Sequence, residues 1–507
     1  MNILFVAPDI FFSEPLGIMQ LSAIVKGAGH KTRLAVLSHQ DLRQMLDDFG
    51  PQVIAYSAMS PHEAKFELAD KIVRAWSHET GRPVFRIMGG PHPTYFPSIL
   101  TKLELDAICI GDGDRALLRV VEKLESGQPI DGIPNIATRA SPIALKEVVE
   151  DLDTLPWLDR DILYDADPEL QQVGIRSVQT MRGCPHKCTY CFNHAYNQMF
   201  KGEGRKIIRR RSVDSVLSEL KHVIANYPVV RFIRFGDDVF VIRDTDDWLE
   251  EFAERYPKEI GLPFYCLIRA NALTENVARL LAQAGCKSLG MSLESGVLRV
   301  RNEILKRNMP DEVMESAFAL CRKYKLNAFA NTILAVPGTT LADDFTSWRF
   351  SKRMKAAAPT FGIFAPYPGT ELTDYAVEIG VLDKNYDFNT VSVSTESMLT
   401  NYTAAEKKQQ LRLAYLGSIF CYLPSFLDPL LPLAVRLPLT RAYNILGYIF
   451  VTWLLSRKVF PGAHPRGAKA IVKSVLRSLN FFINADSRKE IAAKTNLASQ
   501  DGKEITC

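Results

Sequence analysis

Short apolar runs alternate with amphipathic helical patterns twice along this chain of 507 residues, and that alternation leaves few folds open. Over residues 1–140, NILFVAP, TRLAVLS, PQVIAYSAM, PVFRIMGG and DAICIGDGD read as strands. Helical PLGIMQLSAIVKGAGH, HEAKFELADKIVRAW and ALLRVVEKLESG lie among them. Strands joined through helices pair in parallel, and a parallel sheet is covered on both faces. The fold class is therefore α/β, beginning with a doubly wound, Rossmann-like domain. Ligands of such sheets bind where the carboxyl ends of strands open into loops. Ser57-Ala58-Met59, Gly89-Gly90-Pro91 and Gly111-Asp112-Gly113-Asp114 fall there.

Residues 141–172, rich in Asp, Pro and Leu, have no sustained period and read as a linker. The alternation resumes over residues 173–385 with IRSVQTM, VRFIRFG, PFYCLIRA, KSLGMSLE, LNAFANTILAVPG and PTFGIFAPYPG as strands. Six β/α units in series predict a full or partial TIM-type barrel, whose chemistry gathers on the loops after the strands. Residues 386–507 predict a mainly helical C-terminal region.

The loop after the first of these six strands is MRGCPHKCTYCF, with Cys184, Cys188 and Cys191 inside eight positions. The other six cysteines are scattered singly, so no disulfide framework is expected and a reducing cytoplasm is. MNILFVAPDI lacks the pattern of a secretion signal. Three clustered cysteines admit several readings. They serve as small buried hydrophobes, or as zinc ligands completed by His186 or His194. A dithiol pair leaves one thiol over. An iron–sulfur cluster, normally held by four thiolates, would keep one iron without a protein ligand.

CPHKCTYC, with Tyr190 before the third cysteine and Arg182-Gly183 before the first, resembles the signature of radical S-adenosylmethionine (SAM) enzymes. The resemblance implies a 4Fe-4S cluster on Cys184, Cys188 and Cys191. Its open iron takes the amino and carboxylate groups of SAM, and one electron then yields a 5′-deoxyadenosyl radical. By the same resemblance, Asp237 and Asp238 in FGDDVF meet the methionine amino group. Arg269 in CLIRAN faces the carboxylate or a neighbouring ligand. Ser292 and Glu294 in SLESG hold the ribose and carboxylate ends, and Pro337 and Gly338 in ILAVPGTT lie beside the adenine. APYPGTEL, residues 365–372, matches the loop after the sixth strand.

These last motifs are similar to those of radical enzymes with a cobalamin-binding domain in front. SAMSP, with Ser57 and Met59, resembles that domain's serine loop, and GGPHPT, with Gly89 and Gly90, resembles its double-glycine loop. One departure stands out: APDIFFSEPLG, residues 7–17, has no histidine where many such domains place a cobalt ligand. A nicotinamide site is disfavoured, since no Gly-x-Gly-x-x-Gly follows the first strand. The implied activity is C-methylation of an unactivated carbon in a lipophilic or secondary-metabolite-type substrate, using cobalamin, SAM and the cluster. The alternative is a cyclase or skeletal rearrangement enzyme, porphyrin-cyclase-like or lipid-modifying, without methyl transfer. A flavodoxin- or ferredoxin-like electron donor is implied, and no nucleic acid.

Charge distribution adds one further expectation. The net charge is +4, but Pro429 to Ala485 holds eight cations and no acidic residue. The rest of the chain is thus −4 (4 − 8). Basic residues beside Trp, Phe and Leu suit a helix lying on a membrane surface, so peripheral contact at the inner membrane face is expected. No apolar run reaches the ~18–20 residues of a spanning helix.

Overall fold

The computed structural model describes residues 1–462 apart from 11–13, 143–145, 201–205, 207, 245 and 388–391. The described residues form two compact units, one of residues 1–145 and 158–173, the other of 146–157 and 174–462. The expected linker is shared between them.

The first unit is built on strands β1 (Asn2–Ala7), β2 (Lys31–Val36), β3 (Val53–Ser57), β4 (Phe85–Gly89), β5 (Ala107–Cys109) and β6 (Ile136–Ala137). Their order is β2-β1-β3-β4-β5-β6. All pairs are parallel except the last, β5 with β6. The strand order reverses between β1 and β3, which defines the crevice where doubly wound sheets take ligands. Leu4, Val6, Ile54, Tyr56 and Met88 pack under the helix Glu63–Thr80 through Phe66, Val73 and Trp76. Tyr56 Oη donates to the buried Asp70 carboxylate (3.1 Å), which also pairs with Arg86 (2.9 Å). The buried Asp70 carboxylate is therefore satisfied, as burial demands.

The second unit holds six parallel strands in sequential order: β7 (Ile175–Val178), β10 (Phe232–Phe235), β11 (Phe264–Leu267), β12 (Cys286–Gly290), β13 (Asn327–Leu334) and β14 (Ala358–Ile363). This is the topology of a partial (β/α)6 barrel. A short antiparallel pair, β8 (Met181–Arg182) with β9 (Arg209–Arg210), springs from the loop after β7. Phe235, Phe240, Phe252, Tyr256 and Phe264 pack ring against ring at 4.7–6.3 Å in the core, four of these pairs edge-to-face and two tilted, each edge-to-face pair adding about 0.5–1.5 kcal/mol beyond its burial.

The C-terminal helices belong to this second unit. The helix Ala404–Tyr422 covers β14, with Trp348 Nε1 donating to the Gly417 carbonyl (3.2 Å). The helix Thr440–Leu454 packs on it so closely that a Cβ at Gly447 would sit 2.5 Å from the Tyr415 carbonyl oxygen. The chain then turns under the amino ends of the strands. The Phe460 ring packs tilted against Tyr265 (4.9 Å), and Asn327 Nδ2 donates to the Lys458 carbonyl (2.8 Å). Those contacts lie at the opposite strand ends from the cysteine loop.

Asp344 ties the turn after β13 to the helix Ala404–Tyr422. Its carboxylate accepts from the Ala335 N–H and from Gln410 Nε2, both at 2.8 Å. Burial pushes this carboxyl up to about 7. Between the unfolded value near 4 and that one, the folded chain holds a proton that the unfolded chain has lost. Its contribution to stability therefore declines as pH rises through that window. In Asp344→Asn, Gln410 can turn so that its Oε1, which has no partner, accepts from the new amide. Thermal melts from pH 5 to 8 should show the melting temperature of the variant rising relative to that of the wild type as pH rises; a difference that stays constant or moves the other way contradicts this.

Candidate active site

Cys184 and Cys188 are nearly enclosed, at 9% and 8% exposure, and Cys191 is partly exposed. Pro185 restricts Cys184 to extended backbone. Cys191 caps the helix Phe192–Met199 from an extended conformation, where the helix dipole favours an anion. The loop is pinned at both ends. Asn197 Nδ2 donates to the Cys184 carbonyl (2.7 Å), Thr189 Oγ1 to the Ile304 carbonyl (2.8 Å), and the Leu372 N–H to the Thr189 carbonyl (2.9 Å). The last contact brings the expected APYPGTEL loop onto the cysteine loop.

Burial pushes the Cys184 thiol up, with Asp238 and Cys188 pushing the same way against a bond from the His186 backbone. Burial likewise takes Cys191 up to about 11, and Cys188, Cys184 and Asp238 add to it. As thiolates these groups repel one another, so holding all three ionised requires a cationic centre among them. Among the described residues, no three His, Cys, Asp or Glu side chains converge as ligands of one metal ion. His194 instead faces Glu371 at 3.4 Å. In a multi-iron cluster each thiolate has its own iron, so three cysteines would hold three of its irons.

Charged groups from three further loops surround the thiols. Glu294, just past β12, adopts a left-handed backbone (φ +62°), a conformation costing about 1–3 kcal/mol in a non-glycine residue. Its Oε1 accepts from Tyr190 Oη (2.9 Å) and Arg307 Nη1 (3.2 Å). Burial raises this carboxyl while Arg307 opposes the shift. Arg307 also donates to the Ser292 carbonyl (3.0 Å), and its own carbonyl accepts from Arg269 Nη2 (2.6 Å). Burial lowers the Arg269 guanidinium, and the field of Cys188 opposes this. His186, between the first two cysteines, is pushed down to about 4 by burial and then by Arg269 and Arg307, and so stays neutral.

Five buried polar atoms here have no partner: His186 Nε2, Asn197 Oδ1, Arg269 Nε, Arg307 Nε and Glu294 Oε2. Native proteins rarely leave such groups unmatched. Guanidinium donors beside a free carboxylate oxygen match a ligand that carries both a carboxylate and an ammonium, as the amino-acid end of SAM does. The donor set fits the cluster and SAM together.

The expected aspartate pair divides. Asp237 is fully buried, and its oxygens accept from the Thr180 N–H (2.7 Å), Thr180 Oγ1 (2.6 Å) and the Met181 N–H (2.8 Å). It braces the start of the cysteine loop, and burial raises its carboxyl to about 6. Asp238 is exposed and acts electrostatically on Cys184 and Cys191. Pro337 and Gly338 form a separate turn after β13. Pro337 is buried, while the exposed Gly338 (φ +78°) accepts from Arg299 (3.3 Å).

In the first unit, the loops after β3, β4 and β5 are bonded into one rim. The Ala58 N–H donates to the Gly89 carbonyl (2.9 Å), Thr94 Oγ1 to the Gly90 carbonyl (2.8 Å), and the Gly111 N–H to Thr94 Oγ1 (3.1 Å). A Cβ at Gly90 would lie 2.8 Å from the Ala58 carbonyl oxygen, so only glycine fits there. Ser57 ends β3, half-buried, and Met59 on this rim is 52% exposed. His62 Nδ1 is buried without a partner. A rigid rim with an exposed apolar side chain and an unmatched imidazole nitrogen fits a large ring ligand with a polar periphery. His92 is buried against Phe96 and Ser60, with a Glu63 carboxylate oxygen 3.7 Å from its Nε2.

Two family models match the chain: the radical SAM superfamily over residues 178–346 and the B12 binding domain over residues 10–121. Residues 178–346 are a radical SAM domain. The chain is a radical SAM enzyme with a B12-binding domain in front, whose cofactors are a 4Fe-4S cluster, SAM and cobalamin. It is 24% identical to an uncharacterised methyltransferase of Pyrococcus horikoshii, over 80% of this chain and 87% of that one. It is 25% identical to the cytidylyl-2-hydroxyethylphosphonate methyltransferase of Streptomyces wedmorensis, over 68% and 70%. The radical SAM methyltransferase TsrM of Kitasatospora setae, with cobalamin and a [4Fe-4S] cluster bound, shares the fold. Its TM-score is 0.64 at 14% identity, over 90% of this chain and 99% of that one.

Sequence reasoning about this radical SAM enzyme missed Arg307. It follows a single π-helical turn, Val300–Ile304, and sits between two left-handed residues, Lys306 (φ +51°) and Asn308 (φ +50°). No hydrophobic period marks such a segment. The two aspartates should separate by experiment. Asp237→Ala orphans three buried donors and should cost about 3 kcal/mol of stability, with loss of cluster on purification. Asp238→Ala should leave the melting temperature within a degree or two. Equal effects on stability would contradict the division.

Proposed function

We propose that the enzyme transfers a methyl group to an unactivated carbon of a lipophilic small molecule or lipid, in the reducing cytoplasm and at the inner membrane face. The observation that carries this reading is the set of three thiols ringed by unmatched ionic groups, in a chain that also carries a B12-binding domain. The names of the two curated relatives support methyl transfer.

When bound, the cluster with SAM supplies a radical able to take a hydrogen atom, and the corrinoid supplies the methyl group. The chain's residues position these groups and supply their field. Cys184, Cys188 and Cys191 hold the cluster. Glu294 and Asp238 receive the ammonium of SAM, and Arg269 its carboxylate. Ser292 meets the ribose, and Pro337 and Gly338 the adenine. Asp237 positions the cysteine loop through Thr180 and Met181, and Arg307 positions Glu294. Neutral His186 offers a hydrogen bond without adding charge. Ser57, Met59, Gly89 and Gly90 line the corrinoid site. An external flavodoxin- or ferredoxin-like donor supplies electrons.

The deciding assay uses the reconstituted enzyme, a low-potential reductant, lipid extract and SAM deuterated in its methyl group. Methyl transfer places label in a product and forms 5′-deoxyadenosine. Deoxyadenosine with unlabelled product would establish ring closure or rearrangement instead. Cys188→Ala should abolish both products. Glu294→Gln should raise the SAM concentration needed about ten-fold, as expected for one charge-assisted contact; an unchanged requirement would remove Glu294 from that role.

A further inference from the structure

Fifteen large apolar side chains are exposed among the described residues, and ten of them lie within residues 422–453. That concentration far exceeds scattered surface hydrophobes, which need no explanation. The helix Thr440–Leu454 has two apolar faces. One carries Tyr443, Gly447 and Leu454 and is buried. The other carries Ile445, Leu446, Ile449 and Trp453, each 46–53% exposed, at helical spacing. An ordinary surface helix would present polar residues there.

The element is held firmly, so this outward face is not a frayed end. Arg412 Nε donates to Thr440 Oγ1 (2.8 Å) and its Nη1 to the Val435 carbonyl (2.9 Å). Tyr443 Oη donates to the Ala434 carbonyl (3.2 Å). The residues just before the helix continue the apolar exposure, with Phe426 at 78% and Leu433 at 58%. Cations punctuate it: Arg436 and Arg441 at one end, Arg457 and Lys458 at the other, all exposed. No acidic residue occurs from Pro429 to the last described residue. The further cations expected at Arg466, Lys469, Lys473 and Arg477 lie outside the described residues.

We infer that this face, from Phe426 to Lys458, seats the enzyme on an anionic lipid bilayer, with Trp453 and the leucine and isoleucine side chains at the headgroup–acyl boundary. Charge complementarity selects lipid over a second copy of the chain. A two-fold pairing across this face would bring cations against cations, the Arg441 end of one copy meeting either the same end or the Arg457–Lys458 end of the other, whereas phospholipid headgroups neutralise them. The apolar stripe with basic flanks and a tryptophan has the makeup of an interfacial helix. Among the described residues no helix is long and apolar enough to cross a membrane, so the contact is peripheral. The inference rests on the membrane-face reading above and names the surface responsible.

The test is flotation of the full chain with vesicles of phosphatidylcholine alone or with phosphatidylglycerol added, without substrate or turnover. Failure of methyl transfer therefore leaves the result readable. The wild type should float with the anionic vesicles, and less so as salt rises. Arg441→Ala with Arg457→Ala and Lys458→Ala should weaken partitioning about 100-fold, at ~1 kcal/mol per cation. Ile445→Glu with Ile449→Glu should abolish it. All these positions are exposed, so unchanged melting and cluster absorbance verify folding. Brominated lipid should quench tryptophan fluorescence in the wild type and less in Trp453→Phe. Wild-type chain that stays unbound at low salt overturns the proposal. So does binding unaffected by the two glutamates, or a dimer that those glutamates dissociate.

Discussion

Three thiolates cannot stand side by side in a nearly closed loop unless a multivalent cation stands among them. Much of the second unit is arranged around that requirement. The loop enters from β7 braced by Asp237, leaves through the helix that Cys191 caps, and is tied to Ile304 and Leu372. Arg269 and Arg307 supply positive charge nearby, and Glu294 is held in a left-handed backbone between Tyr190 and Arg307. Strain and buried charge of this kind persist only where surrounding contacts over-determine them. Here those contacts come from four different loops at the carboxyl ends of one parallel sheet, the rim on which β/α folds place their chemistry.

The fold was legible because parallel strands are buried on both faces and therefore read as apolar runs. Each run named in the first and second units coincides with a strand, and the glycines and prolines between them mark the turns. Strands β6, β8 and β9 escaped because two residues cannot carry a period. The cysteine triplet was legible by spacing alone. Its partners were legible to the extent that they follow strands: Arg269, Ser292 and Glu294 each do.

Arg307 was not legible, since its place depends on a π-helical turn and two left-handed residues. The different fates of Asp237 and Asp238 were hidden as well. Past the end of β10 the chain bends at Asp238, and one carboxylate turns inward onto Thr180 while the other is exposed. The basic, apolar tail was visible as composition, but composition alone did not distinguish helical core from surface. Burial resolves both roles: the helix Thr440–Leu454 packs inward through Gly447 and remains apolar outward.

A cluster held by Cys184, Cys188 and Cys191 alone would leave one iron open for SAM. The most direct measurement is electron paramagnetic resonance of the anaerobically reconstituted, dithionite-reduced enzyme, recorded with and without SAM carrying a nitrogen-15 label in its amino group. The expected result is a 4Fe-4S signal whose g-values shift on adding SAM, with hyperfine coupling to the labelled nitrogen. A reconstituted protein that holds zinc and no iron, or a cluster signal indifferent to SAM, would contradict it.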